Sequence, residues 1–587
     1  MPEIKINFWN ENGLTLQKPD LICLRQNHEL YKTLLLQLVG KIEYDVDGIR
    51  LTDEKLATTK FNLFIDKAIN EDVDLAITPE YSCPWTSIEN FIGENKLPEE
   101  GKIWVLGCQS IKPDELIALI GRHQNIVWIY DEALVAEKIA VNKFFDPVCF
   151  LLKTRNENNE VKNVIIVQFK THDSAELWER DNLLLGNSLY LVENRFNSTK
   201  LLTYICSDTL QNIDLNTEND GFLLNAPLLL IHIQLNQKPF DAPYKGYRNN
   251  IYLYGNANDF SKEILCLNWA RNVTYDDDQG QEKEFNKYGG SSFYCKTTQL
   301  NLEDSRINEN HQKGLYYTSW KDKRTHVSFL NYNEHVFLIE NTKPSQALAL
   351  AVNAKRTGPK VLHSYQWTNN QWEEVLTVND GFAQICAEVD GGTGNLSCLT
   401  GNPNFTDVER IIQLSSGEID DSTKENWCKI FNLFSFQIGD TEFNNRNTFT
   451  HDPDNDANNK RRGRIRKYHL LKNTILTTPA EVPEAFADAM LKFDKSLTSK
   501  NIYLLNLHSN TTGRKGTAIY LGDRTPPEAK AFKVKIESMF KEDQQGKQVM
   551  VWYSSPNLTR IYDEERKPEI NENVSKSTVS YKNTKNV

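Results

Sequence analysis

The chain has 587 residues, 39% hydrophobic and 25% charged, with a formal net charge of −12. That length exceeds what one hydrophobic core organises and predicts several domains. The acidic surplus, spread without long blocks, argues against a general nucleic-acid binder. No window approaches about 18 consecutive apolar residues, so no membrane-spanning helix is expected. The opening MPEIKINFWN lacks the charged-then-apolar pattern of a secretory leader. The ten cysteines are scattered, with no C-x-x-C pair. That usage predicts reduced thiols in a cytoplasmic protein, not a disulfide frame or a zinc site.

In chain order, DLICLRQ (20–26) reads as a strand. TTKFNLFIDKAINEDV (58–73) reads as a helix, with Phe61, Phe64, Ile65 and Ile69 near helical spacing. DLAITPE (74–80) and IWVLGCQSI (103–111) read as buried strands. DPVCFLLKTRNENNEVKNVIIVQFK (146–170) is a hairpin signal, two apolar runs around an Asn-rich turn. LLTYICSD (201–208), APLLLIHIQLN (226–236), EILCLNWARN (263–272) and SSFYCKT (291–297) follow as strands. Strands alternating with amphipathic stretches predict an α/β layering.

The character changes near residue 343. The stretch 365–460 is rich in Asn, Thr, Gly and Asp. Beyond it, 479–497 and 526–543 read as helices, and 501–510, 516–523 and 547–555 as strands. The expected organisation is a first domain over 1–342, a second α/β or α+β domain over 343–562, and a polar disordered tail over 563–587. Asp452, Asp454 and Asp456 hint at calcium, but Gly463 stands where an EF-hand loop needs its glutamate, so a solvated loop is expected. The run RRGRIRK (461–467) reads as a solvated loop or helix start.

Three apolar runs end in residues whose chemistry fits together: Glu80, Lys170 and Cys206. Strand ends are where an α/β fold gathers side chains into one site. A carboxylate can take a thiol's proton as it attacks a carbonyl. An ammonium and the backbone N–H of Ser207 can hold the oxyanion that develops. Taken alone, each residue has a bland reading: a core thiol, a surface acid, a solvated hairpin lysine.

These stretches resemble the nitrilase, or carbon–nitrogen hydrolase, superfamily. ITPEYSCPW resembles its glutamate motif, FKTHD its lysine motif and YICSD its nucleophile motif, in the family's order. ERDNLLLG (179–186) resembles the segment that offers a further glutamate, here Glu179, with Glu176 as the other candidate. GCQSI, APLLLIHIQLN, CLNWARN and YGGSSFYC resemble intervening strands, and the likeness covers roughly residues 15–342. The resemblance implies an α-β-β-α sandwich and hydrolysis of a non-peptide amide-type C–N bond through a thioester. In it Glu80, Lys170 and Cys206 are catalytic and Glu179 positions the substrate or supports the lysine; Ser207, through its N–H, and Trp178, beside the motifs, are the other expected substrate-binding residues. It implies no metal or organic cofactor, a small amide or nitrile substrate and a homo-oligomer; apart from the resemblance, the C-terminal domain offers a place for a protein partner. Nucleic acid and membrane partners are not expected.

The sequence departs from the family at Ser207, at TLQN (209–212), at Asp173 and in an apparent insertion over 115–140. These bear on the substrate more than on the catalytic trio. The second half lacks the Ser-Gly-Gly-x-Asp-Ser pattern of a synthetase fed by a glutaminase. His172 reads as structural, and Asp208 as a hydrogen-bonding partner of its own turn. Trp85, Trp178 and Trp269 stand beside the motifs as pocket or core residues. The alternative reading is a binding or scaffold module within a regulatory or defence protein, with activity gated by or residing in the second half.

Overall fold

The computed structural model describes residues 2–11, 15–25, 30–175, 177–195, 199–211, 227–239, 241–254, 262–287, 289–296, 302–320, 325–342, 357–416, 435–436, 446–451, 455–477, 482–483, 486–497, 502–539, 549–555 and 558–562. The chain forms two compact units, the first ending at Val378 and the second starting at Asn379. No helix among the described residues is long and apolar enough to cross a membrane. The expected tail over 563–587 lies outside the described residues, as do Glu176, Asp452 and Asp454.

The principal strands of the first unit are, in chain order, β1 (Leu30–Gln37), β2 (Leu75–Cys83), β3 (Ile103–Cys108), β4 (Val127–Ile129), β5 (Pro147–Arg155), β6 (Val161–Phe169), β7 (Val192–Glu193) and β8 (Lys200–Ile205). Then come β9 (Leu228–Ile233), β10 (Lys262–Leu267), β11 (Ser292–Lys296), β12 (Leu315–Trp320), β13 (Thr325–Leu330), β14 (His335–Thr342), β15 (Lys360–Thr368) and β16 (Gln371–Glu374). They build two sheets. The first has the order β16-β15-β14-β1-β2-β3-β5-β6-β4, and the second runs β7-β8-β9-β10-β11-β13-β12.

Successive side chains on a strand point to opposite faces, so a strand buried on both sides feeds two cores. Leu35, Leu75, Ile77, Ile103, Val105, Phe150 and Ile166 of the first sheet meet Leu201, Leu229, Ile231, Leu265 and Phe293 of the second in one cluster. Their neighbours Leu34, Leu36, Ala76, Trp104, Leu106, Leu151 and Ile165 join the cluster that contains Phe61, Phe64 and Ile88 from the helices α1 (Glu54–Asn70) and α2 (Trp85–Gly93). Two sheets packed face to face with helices outside them is a sandwich of the expected α/β class.

Several local expectations change. Residues 20–26 hold a 3-10 turn, Ile22–Leu24, not a strand. Leu21 N–H donates to Asn194 Oδ1 at 2.8 Å, and the segment's apolar side chains Leu21, Cys23 and Leu24 are buried in the inter-sheet core. α1 starts earlier than the apolar spacing suggested, because Asp53 caps it by accepting from Leu56 N–H at 2.9 Å. Ile69 is exposed rather than part of its buried face. The apparent insertion supplies α3 (Pro113–Arg122), the edge strand β4 and α4 (Glu132–Lys138). β4 pairs in parallel with β6, so this segment widens the sheet.

The first unit also runs past residue 342. β15 pairs antiparallel with β14, and β16 with β15. Trp372 of β16 is buried, and its indole N–H donates to the Lys60 carbonyl of α1 at 3.1 Å. The Asn- and Gly-rich composition after 343 therefore hides two strands of the first sheet.

The second unit is α/β as expected, with the sheet β17 (Ala489–Leu497), β18 (Ile502–Ser509), β19 (Lys515–Asp523), β20 (Val549–Ser555) and β21 (Leu558–Tyr562) in that order. β19 and β20 are parallel and joined through the helix Pro526–Met539. Residues 489–497 are a strand where a helix was expected. Their partner β18 overrides the helical propensity of that alanine-rich segment. RRGRIRK lies in the helix Asn455–Leu470, with Arg461 and Ile465 fully buried rather than solvated.

Candidate active site

Glu80 lies within a bulge rather than at a plain strand end. β2 and β3 stay in register to Thr78 opposite Leu106, then resume at Cys83 opposite Cys108. The extra residues loop out. Thr78 Oγ1 accepts from Gly107 N–H at 3.0 Å, and Ser82 Oγ donates to the Pro79 carbonyl at 2.6 Å. Tyr81 adopts a φ of 57°, a left-handed conformation unusual for a non-glycine residue. Gly107 is required here: a Cβ on it would stand 2.2 Å from the Pro79 carbonyl oxygen and 2.8 Å from Glu80 Cα.

Lys170 is delivered by the β5–β6 hairpin. The register pairs Phe169 with Pro147, so the next residues along, Lys170 and Asp146, face each other. Lys170 N–H donates to the Asp146 carbonyl at 2.9 Å. Gly186 N–H then donates to the Lys170 carbonyl at 2.7 Å, which locks the end of the hairpin.

Cys206 follows β8 and opens a 3-10 turn, with φ of 41°. Asp208 holds that turn: its Oδ2 accepts from Ile205 N–H at 2.9 Å and its Oδ1 from Thr171 N–H at 2.7 Å. His232 on β9 supports it from the other side, its Nε2 lying 2.9 Å from the Cys206 carbonyl. A carbonyl only accepts, so Nε2 carries the proton, and Nδ1 is left to accept from Tyr247 Oη at 2.8 Å. Burial pushes the His232 imidazole down to about 3, so it is neutral.

The structure brings Glu80, Lys170, Cys206 and Glu179 together in a buried cluster. Lys170 Nζ donates to Glu80 Oε1 at 2.7 Å and to Glu179 Oε1 at 2.6 Å. Glu179, on the short helix Leu177–Asn182, also accepts from Tyr81 Oη at 3.0 Å and from Ser174 N–H at 2.8 Å. Glu80 accepts from Leu235 N–H through its second oxygen. Trp269 Nε1 donates to the Glu80 backbone carbonyl at 2.7 Å. Cys206 Sγ is 3.9 Å from the Leu235 carbonyl oxygen.

The two glutamates are pushed apart. Burial raises Glu80, with Lys170 only partly opposing it. Burial also acts on Glu179, but the Lys170 charge and the donors around it win and hold it below the ordinary carboxylate value. For Lys170 burial works against the charged form, yet the charges of Glu179 and Glu80 keep it well above the usual lysine value. Burial and the Glu80 charge push the Cys206 thiol well up, so the resting group is a thiol in the field of a basic carboxylate. Paired acids driven in opposite directions are how one site assigns a base and a fixed anion.

A cavity of about 170 Å³ opens onto Cys206 and Lys170. Its lining includes Trp178, Phe285, Ile49, Asn236, Lys238 and Tyr244. Trp178 belongs to an aromatic group with Tyr44, Tyr275 and Phe285. Trp269 instead supports Glu80 from beneath, and Trp85 donates to the Gln109 carbonyl at 2.9 Å without reaching the cavity. The Ser207 hydroxyl is tied to the His172 carbonyl at 2.6 Å, so its side chain serves the turn.

Sequence reasoning missed Asp146, His232 and Tyr244. Asp146 is fully buried, 3.6 Å from Lys170 Nζ, and its carboxyl joins Glu80 and Glu179 in a ring of acids within 4.8 Å of one another. The Lys170 ammonium occupies the cation position among them. The hairpin register was the signal for Asp146, since the residue across from Lys170 is fixed once the strands are paired.

No protein-family model matches the chain, and no curated protein matches it. Among solved structures it is similar to a CN-hydrolase superfamily protein from Xanthomonas campestris with an arsenic adduct in its active site. That likeness covers 45% of this chain and 83% of the other, at 11% identity and a TM-score of 0.26. An amidase from Nesterenkonia sp. matches over 48% of this chain and 85% of its own, at 10% identity and a TM-score of 0.24. An N-terminal amidase bound to an Asn-Glu-Ala peptide matches over 38% and 54%, at 11% identity and a TM-score of 0.21. The functional reading below rests on the chain's own residues.

Proposed function

We propose that the first unit is a cysteine-dependent hydrolase of a non-peptide amide-type C–N bond. The observation that carries this reading is the buried Glu80–Lys170–Glu179 cluster beside Cys206 at the floor of a cavity.

Cys206 Sγ attacks the amide carbonyl and Glu80 takes the thiol proton as the bond forms. Glu80's raised affinity for protons suits it to that step. Lys170 Nζ and the Ser207 N–H, at the start of a turn where an N–H lacks a partner within the turn, hold the oxyanion. Glu80 then gives its proton to the leaving amine, and a thioester to Cys206 remains. Water attacks the thioester with Glu80 again as base, the C–S bond breaks, Glu80 returns that proton to Cys206 Sγ, and the acid product leaves. Glu179 keeps Lys170 charged and aimed throughout. Trp178 and the aromatic group around it bind the acyl portion. Nitrile hydrolysis is open to the same residues. An assembled, interlocked site supports catalysis over the scaffold alternative, which has no use for a buried ammonium between paired acids.

The test is alkylation of Cys206 by iodoacetamide in the full chain, read by peptide mass spectrometry from about pH 5 to about pH 9. Exposed Cys398 serves as an internal reference. Cys206 is expected to label fastest, and Glu80→Gln and Lys170→Ala to change its rate and pH profile. A Cys206 as inert as buried Cys23 would overturn the reading. A screen of small aliphatic and aromatic amides by ammonia release follows, with Cys206→Ala as the blank.

A further inference from the structure

The site contains more acid than its mechanism uses. Three buried carboxyl groups surround one ammonium, and full ionisation would leave a net charge of −2 in a dry site. Burying such a charge is costly enough that a group takes up a proton instead. Which carboxyl takes it follows from the donors. Glu179 has Lys170, Tyr81 and Ser174; Glu80 has Lys170 and the Leu235 N–H. Asp146 has no hydrogen-bond donor on either oxygen, and its distance of 3.6 Å to Lys170 Nζ is beyond a hydrogen bond. It stands instead within 4.8 Å of the carboxyl oxygens of Glu80 and Glu179, and two carboxyl groups can share a hydrogen bond only if one is protonated.

We propose that Asp146 is a positioning residue that holds one proton against Glu80 in the resting protein. The three acids and Lys170 then carry a net charge of −1, and Glu80 is kept ionised and aimed. The groups that face Asp146 are Glu80 and Tyr81 from the bulge, Lys170 from the hairpin, Glu179 from the short helix and Cys108 from β3. Burial, with the Glu80 charge next, drives its carboxyl well above the ordinary value, in keeping with that assignment. What that proton does in catalysis rests on Glu80 being the base; that Asp146 holds it does not. The thiol proton of Cys206 goes to Glu80 and leaves with the amine. The Asp146 proton stays in place through the cycle, so Glu80 faces no negative charge beyond that of Glu179 as it works.

The experiment is infrared spectroscopy of the full chain with carbon-13-labelled aspartate at neutral pH. A carbonyl stretch from a protonated aspartic acid is expected in the wild type and absent in Asp146→Asn. No such band in the wild type, or a band that persists in the variant, overturns the proposal. If Asp146→Asn does not fold, Glu80→Gln replaces it: the band must shift as its acceptor changes, and an unmoved band overturns the shared proton. Iodoacetamide alkylation supplies the second readout. Asp146→Ala should slow Cys206 by about tenfold, the cost of one pKa unit of displaced charge, and Asp146→Asn, neutral and isosteric, should restore much of that rate. A variant with Asn as slow as Ala overturns the proposal. An inert wild-type Cys206 with the infrared band present would sink the hydrolase reading and leave this one standing.

Discussion

Gly107→Ala tests the packing that holds Glu80. The added methyl would stand 2.2 Å from the Pro79 carbonyl oxygen, 2.6 Å from its carbon and 2.8 Å from Glu80 Cα, where real contacts do not fall below 3.0 Å. These are backbone atoms, so no side chain can swing aside. The bulge or β3 has to move by about 0.8 Å to bring the shortest contact from 2.2 Å to 3.0 Å. Overpacking of this kind costs about 1–3 kcal/mol of stability. A misplacement near 1 Å of a reacting group costs roughly 100-fold in rate. Glu80 is held to Lys170 and Leu235 by hydrogen bonds, so a backbone shift of that size misaligns its carboxylate against both. The assay pairs urea denaturation with Cys206 alkylation under native conditions. Stability should fall modestly while alkylation falls by one to two orders of magnitude, an estimate taken from the same positional sensitivity. A folded variant that alkylates at the wild-type rate would refute the argument that the bulge sets the base.

Lys60→Ala should destabilise the first unit by about 1–3 kcal/mol, because half-buried Glu334 loses its ion-pair partner at 2.6 Å and keeps only the Val39 N–H as a donor; no measurable loss in urea denaturation would count against a desolvated pair. Acid should weaken the fold between the ordinary histidine value of about 6.5 and about 4. Buried His232 and His335 are pushed down to about 3 and about 4, so the unfolded chain binds protons that the folded chain refuses, and stability is lost as pH falls. Melting temperatures across that range should show a shallower slope in His335→Gln, and an unchanged slope would be contrary to this account. Once a substrate is found, Trp178→Ala should raise KM several-fold with kcat nearly kept, since the ring lines the cavity without touching Lys170 or Glu80; a loss confined to kcat would place the tryptophan in the chemistry instead.

The sequence located the residues that gather around Lys170 more closely than it located the strands and helices that carry them. Glu80, Lys170 and Cys206 each close an apolar run in the sequence, and in the fold Lys170 and Cys206 directly follow β6 and β8 while Glu80 sits in the bulge of β2. Asp146 was hidden because its meaning depends on pairing: it becomes a partner of Lys170 only through the register of β5 with β6. The bulge at Glu80 and the left-handed Cys206 were equally invisible, as both arise from what adjacent strands impose. Residues 489–497 show the opposite failure, where Ala, Glu and Lys suggested a helix and the neighbouring strand β18 decided otherwise. DLICLRQ was apolar enough for a strand, but its hydrophobic side chains fill the inter-sheet core from a turn.

The pairing of β14 with β15 and β16 sets a rule for handling the molecule. A fragment ended at residue 342, where composition changes, would strip both strands from the rim of the sheet. It would bare the full-length edge of β14, whose eight residues include Val336, Phe337, Leu338 and Ile339. Unpaired backbone along an apolar strand is a template for joining other chains. Such a fragment would precipitate, or gather into assemblies easily mistaken for a native oligomer, and its inactivity would say nothing about Cys206. Any dissection of the protein therefore has to keep the chain through Val378.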